Sequence, residues 1–312
     1  MAAFRILGMI AIGLGVIATA QARTLDVGAD KEFKEPSAAI AAAKKGDVVS
    51  IQPGEYFDCA TVRADGVVIQ GVGDAARVLI TDKTCGGKGL LVITGNGVTV
   101  RNLTLTRARV PDGNGAGIRN EAPDLTVEGV RFINNQNAIL STPASPGAIT
   151  IKDSLIDRNG GCVNAGGCAH GIYIGNATVL HVENSTFTGT KQGHHIKSRA
   201  LRTEVIGCTI ADGEEGTASY LIEVPAGGSL VVRGSKLEKG PEAENHSAAI
   251  VIGAEGVSQP TREITIENNS FRNDGGWTTT FVNNLTATDA MLKGNTITGS
   301  VTPLRGDGKV AR

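Results

Sequence analysis

Residues 98–105 read VTVRNLTL, and the same eight-residue figure returns seven more times. The copies are 125–132 (LTVEGVRF), 149–156 (ITIKDSLI), 180–187 (LHVENSTF), 203–210 (TEVIGCTI), 230–237 (LVVRGSKL), 264–271 (ITIENNSF) and 290–297 (AMLKGNTI). Their first residues lie 27, 24, 31, 23, 27, 34 and 26 apart, and 67–74 (VVIQGVGD) is a weaker ninth copy. Positions three and eight are apolar in every octet while two and four are mostly polar, the period-two alternation of strands. Position five is Asn, Asp or Gly throughout. Those residues accept a left-handed backbone at low cost, so two short strands meet at a sharp corner there. A sandwich has no need of the same figure at the same phase in every unit. A stack of coils does, because each coil rests only on its neighbours. The expected fold is all-β, a single-stranded parallel β-helix.

Composition agrees with that reading. Of 312 residues 42 are Gly, only 4% are aromatic, and 30 basic side chains face 31 acidic ones for a net charge of −1. Glycine is well above its usual share of about 7%, with no collagen period. A balanced charge excludes a highly charged disordered chain and gives no basic excess for nucleic acid. Many turns around a thin core of Val, Ile and Leu are expected instead.

At the N-terminus, Arg5 leads an apolar run that ends at Ala20-Gln21-Ala22. This is the pattern of a secretory signal over residues 1–22, cleaved after Ala22. It leaves one domain, 23–312, with no membrane span, exported to the periplasm or beyond and acting as a monomer. Five cysteines then enter an oxidising compartment. Cys162 and Cys168 bracket a Gly-rich loop and are expected to pair, as are Cys59 and Cys85. Cys208 falls inside an octet and is expected to be small, buried and inert. A metal site at Cys162 and Cys168 lacks further ligands at matching spacing.

Residues 35–46 read as a short amphipathic helix starting at Pro36 or Ser37. It is followed by Gly46-Asp47-Val48-Val49-Ser50-Ile51-Gln52-Pro53-Gly54-Glu55-Tyr56. This stretch resembles the opening of secreted right-handed β-helix proteins of the pectate-lyase-like superfamily. The resemblance implies a right-handed coil, with the helix covering the end of the stack where backbone would otherwise lie unpaired.

A second strand precedes each octet: Gly117-Ile118-Arg119, Ala138-Ile139-Leu140, Ile172-Tyr173-Ile174, Ile196-Lys197-Ser198, Ile222-Glu223-Val224, Ile250-Val251-Ile252 and Val282-Asn283. With the flanking aliphatics inside, the middle residues form an outward column. Ile118 and Ile139 then lead to Tyr173, Lys197, Glu223 and Val251, about 4.8 Å apart from coil to coil. By the same alternation His195 and Arg199 share the outward face of Lys197, with His170 beside His194 on the rim. Gly193-His194-His195-Ile196-Lys197-Ser198-Arg199 is the densest cluster of chemistry in a chain with five His. A solvated strand face explains Lys197 and Arg199, but not why His and Tyr share it.

Aligned cations on a shallow face suit an acidic polysaccharide, and for a uronic-acid polymer the natural reaction is β-elimination. Lys197 or His195 is the candidate base, Tyr173 the acid (or the base, if ionised), and Arg199 the carboxylate clamp. His170, His194, Glu223 and Arg119 are candidate binding residues. No cofactor is identified; Glu223 is a weak candidate ligand for Ca²⁺, which would neutralise the sugar carboxylate instead.

The Ile196-Lys197-Ser198 strand is similar to the one that carries the Lys base in the alginate lyase and chondroitinase B family, which implies that role for Lys197. That family places an acid-role Arg on the next coil in Leu-Arg-His-Gly; here Leu221-Ile222-Glu223-Val224 has none. The 193–200 stretch also looks like a strand of bacterial secreted β-helix proteins, Gly-His-x-Ile-Lys-Ser-Arg-Ala. The alternatives are a non-catalytic polysaccharide-binding scaffold, an epimerase sharing the proton abstraction, and a hydrolase. Polygalacturonase-like hydrolases need clustered Asp, and no Asp-Asp pair occurs. His170, His194 and His195 as metal ligands, and His181 and His246, carry less weight.

Overall fold

The computed structural model describes residues 22–163 and 167–311. The expected signal sequence therefore lies almost wholly outside the described residues. Each octet folds as two strands on different sheets. The first halves, such as Val98–Arg101 and Leu125–Glu128, belong to a 12-stranded parallel sheet running from Thr24–Val27 to Gly308–Ala311. The second halves, such as Thr104–Thr106 and Arg131–Ile133, belong to a 10-stranded sheet, and the strands that precede the octets form a third sheet, also of ten. Within each sheet coils follow one another in chain order.

Between the two halves, the fifth residue of all eight octets has positive φ: Asn102, Gly129, Asp153, Asn184, Gly207, Gly234, Asn268 and Gly294, at 48–63°. The ninth copy pairs in register, Gln70 with Arg101. Its Gly71 stays in the strand, however, and the left-handed residue is Gly73. Third positions from Val100 to Leu292 and eighth positions from Leu105 to Phe271 are buried in one continuous core. Burying such a side chain is worth about 1.5–3 kcal/mol relative to exposure.

A left-handed corner leaves the N–H groups next to it out of the ladder, and sixth-position side chains receive them. The Ser154 N–H donates to Ser185 Oγ (3.2 Å), Cys208 N–H to Ser235 Oγ (3.1 Å) and Ser235 N–H to Asn269 Oδ1 (2.9 Å). Cys208 sits in this ladder as a buried free thiol, and burial pushes its pKa up to about 11. Cys59–Cys85 and Cys162–Cys168 are disulfides. The helix expected over 35–46 is shorter, Pro36–Ala42, and ends where Ala43 turns extended. Its Ala39 and Ile40 join the core, and the Ser37 N–H donates to Asp58 Oδ2 at 2.7 Å. Among the described residues no helix is long and apolar enough to cross a membrane.

Candidate active site on the third sheet

Strict alternation fails on the third sheet in one respect, and that irregularity builds the site. In strand His194–Ser198, His195 and Ile196 are both fully buried, so two consecutive residues point inward. The same pair recurs as Ala138-Ile139, Leu221-Ile222, Ala249-Ile250 and Phe281-Val282 on other coils, every member fully buried. Register pairs His194 with Tyr220, Tyr173 with Lys197 and Lys197 with Glu223. The outward positions therefore form two columns, one on each side of the inward pair. His170, His194 and Tyr220 form the first column, and Tyr173, Lys197 and Glu223 the second.

This corrects the expectation for His195. Its ring lies inside the coil, with Nδ1 2.8 Å from Thr190 Oγ1 and Nε2 2.8 Å from Asp212 Oδ1, all three residues buried. Asp212 Oδ2 also accepts from the Gly240 N–H. The outward column on the earlier coils is corrected too. Ile118 and Ile139 are core residues, and Arg119 and Leu140, one position on, align with Tyr173. Arg119 is three register steps from Lys197, about 15 Å, and donates to Thr142 Oγ1 at 3.0 Å.

The first column is a stack of rings. His170 and His194 have centroids 4.8 Å apart, and His194 and Tyr220 5.1 Å. The His194 N–H donates to His170 Nδ1 (3.0 Å), and the Tyr220 N–H to His194 Nδ1 (3.2 Å). A nitrogen that accepts cannot carry the proton, so each neutral ring is a donor at Nε2. Burial, and then the neighbouring His194, Lys197 and Arg199, hold the His170 pKa well below its ordinary value and keep it neutral.

The second column is ionic. Lys197 Nζ lies 3.0 Å from Glu223 Oε2 and 2.8 Å from Glu255 Oε1. Glu223 Oε2 also lies 3.0 Å from His194 Nε2. These contacts to Glu223 are close but off the hydrogen-bond axis, so that buried oxygen keeps no well-aligned donor. Arg199 forms an ion pair with Glu255 and donates from Nε to Tyr173 Oη at 2.9 Å. Burial lowers the Lys197 pKa, but the Glu255 and Glu223 carboxylates outweigh it and hold the amine above its usual range as an ammonium. Burial works against the Glu223 carboxylate as well, yet His194 and Lys197 keep its pKa below normal.

Asn137, His170, Tyr173, His194, Lys197 and Glu244 line a cleft of about 520 Å³, whose wall includes Cys168 of the disulfide loop. Orphaned polar atoms gather on this sheet. Among the described residues, buried side-chain atoms without a partner are found on Arg119, Asn137, Glu223, Gln259, Thr279 and Asn283. All but Gln259 belong to strands of the third sheet. Buried polar atoms are nearly always paired; of these, Arg119 and Glu223 are offset by ion pairs, and Asn137 alone lines the cleft. No group of three potential metal-ligating side chains occurs among the described residues. Glu223 faces two nitrogen donors, which is a poor setting for Ca²⁺.

Glu255 and Tyr220 belong to the site without having been expected there. Tyr220 opens a third-sheet strand one coil after His194, and aligning strand starts would have found it. Glu255 comes from a loop outside the repeat.

A model of the right-handed β-helix region matches residues 164–306. The chain is a right-handed parallel β-helix. The right-handed coil implied by the resemblance of the 46–56 segment is the fold found. The β-helix superposes on an alginate lyase from Paenibacillus sp. with a TM-score of 0.68 and 18% identity, covering 92% of this chain and 99% of that one. It also superposes on a pectin methylesterase from Aspergillus niger with a TM-score of 0.53 and 16% identity, covering 83% and 87%. At such identities these likenesses show the fold. No curated protein sequence matches this β-helix.

Proposed function

We propose that this β-helix is an exported enzyme that cleaves an acidic, uronic-acid-containing polysaccharide by β-elimination at Tyr173, Lys197 and Arg199. The observation that carries the reading is that Lys197 and Tyr173 line one polar cleft, with Arg199 hydrogen-bonded to the Tyr173 hydroxyl. The neighbours named alginate lyase and pectin methylesterase are consistent with a polysaccharide substrate. Two disulfides are consistent with an exported protein, signal at 1–22 and one domain over 23–312. The helix Pro36–Ala42, packed on the first coils, is assigned the role of covering the stack's end.

In this reading Lys197 and Arg199 bind the sugar carboxylate, which stabilises the negative charge developing as the C5–H bond breaks. Lys197, kept an ammonium by Glu223, is better suited to that task than to the base role expected of it. The Tyr173 oxygen takes the C5 proton in its deprotonated form. The C4–O4 bond breaks as the C4=C5 double bond forms, and the leaving oxygen takes a proton from the Lys197 ammonium. Solvent restores both groups. His170, a donor at Nε2, holds a sugar oxygen, while His194 stays on Glu223 and Arg119 lies too far along the column to touch the same sugar.

One observation favours the non-catalytic scaffold: of the two expected bases, one is ion-paired and the other buried. Incubation with alginate, polygalacturonate, hyaluronan and chondroitin separates the readings through the ultraviolet absorbance of unsaturated ends. The enzyme gives such products with one polymer. Tyr173→Phe and Lys197→Ala abolish them, a loss of at least about a hundredfold on the scale of positioned acid–base groups. Binding without products across the panel would leave the scaffold standing.

A further inference from the structure

Lys197 and Arg199 are neutralised by two carboxylates of different standing. Glu223 is built into the sheet in register with Lys197, and its side chain is 5% exposed. Glu255 reaches in from the loop after strand Ala248–Ile252, more than fifty residues away in sequence, and its side chain is 44% exposed. Its two oxygens divide between the cations, Oε1 toward Lys197 and Oε2 toward Arg199. The other side of the Arg199 fork is pinned to Tyr173 Oη. The loop backbone is anchored independently: the Glu255 N–H donates to Pro225 O, and the Ser258 and Gln259 N–H groups donate to Ala226 O, each at 2.9 Å. Swinging the carboxylate out requires only rotation of an exposed side chain.

We propose that Glu255 is an internal stand-in for the substrate carboxylate, seated between Lys197 and Arg199 until a polyuronate displaces it. Charge counting supports the assignment. With Glu255 in place two cations meet two carboxylates; with it withdrawn, and the Tyr173 hydroxyl keeping its proton while the polymer binds, one positive charge is left for one incoming carboxylate. A neutral sugar has no charge to offer Lys197 and Arg199 with or without Glu255, so the stand-in yields only to an anionic polymer and otherwise holds the empty cleft in order. This inference rests on reading the cleft as a uronate site.

The test is calorimetric binding of alginate and polygalacturonate oligomers, with a neutral oligosaccharide as control, to the full protein and to Glu255→Gln. Removing the competitor should tighten uronate binding roughly five- to tenfold, near 1–1.4 kcal/mol, and leave the neutral control unchanged. Arg199→Gln placed in the Glu255→Gln background should cancel the gain. Equal or weaker uronate binding by Glu255→Gln, or none by either protein, would overturn the proposal. Tighter binding without unsaturated products would keep the stand-in and sink the elimination reaction. Products from both proteins with equal KM would do the reverse.

Discussion

Glu223 and Glu255 grip the same ammonium and both are held below their ordinary pKa; the exposed one, Glu255, can be tested by substitution. Its hydrogen bonds from Lys197 and Arg199 hold the Glu255 pKa at about 2, against an ordinary 4.5. A carboxylate depressed in the folded state contributes stability that is full above its unfolded pKa and fades as pH falls through the folded one. The melting temperature of the protein should therefore exceed that of Glu255→Gln above about pH 5, with the gap closing toward pH 2; a gap independent of pH would contradict the pairing. The effect should be small, because a half-exposed pair is screened by water and salt. Glu255 was not legible in the sequence, for a loop carboxylate has no period to betray it. His195 was legible as chemistry but misplaced. Strict alternation carried it outward with Lys197, although aligning it with Ala138, Leu221 and Ala249 puts it in a core column.

The octet is the element where sequence and structure agree most closely. Period-two burial identified the inward residues, and the Asn, Asp or Gly at position five identified the left-handed corner within all eight octets, though not the turns at Asp82, Arg107, Asn134 and Arg158. The reason is physical: a left-handed backbone is costly for most side chains, so the corner restricts residue type more sharply than any strand position does. Gly129 isolates the effect, since a Cβ added there would meet nothing within 4 Å and φ is +60°. Gly129→Ala should cost about 1–2 kcal/mol from backbone strain alone. Gly129→Asn, matching Asn102 and Asn184 on other coils, should recover most of it in denaturant unfolding. If the two variants prove equally stable, the corner is not what fixes the residue. The third sheet was harder to read because its paired inward residues break the period, so the register before Tyr173 slipped by one.

Across the whole molecule each coil pairs its strands only with those of the coils before and after it, while a few side chains such as Glu255 and Glu263 reach one coil further. Stability in such a stack is a sum of coil and interface contributions, with no single cooperative centre. The three strands of the site, Ile172–Ile174, His194–Ser198 and Tyr220–Val224, are fifth, sixth and seventh of the ten in their sheet. Opening that begins at either end must undo several interfaces before it reaches them. Amide hydrogen exchange should then be slowest around 172–224 and quicken toward both ends. Uniform rates along the sheet would show instead that the stack melts as one body. Put as mechanics, the cleft lies near the midpoint of a spring clamped by its own neighbours. The rigidity that keeps Tyr173, Lys197 and Arg199 in register comes from their place in the queue of coils, and removing outlying coils should loosen the site without touching any residue in it.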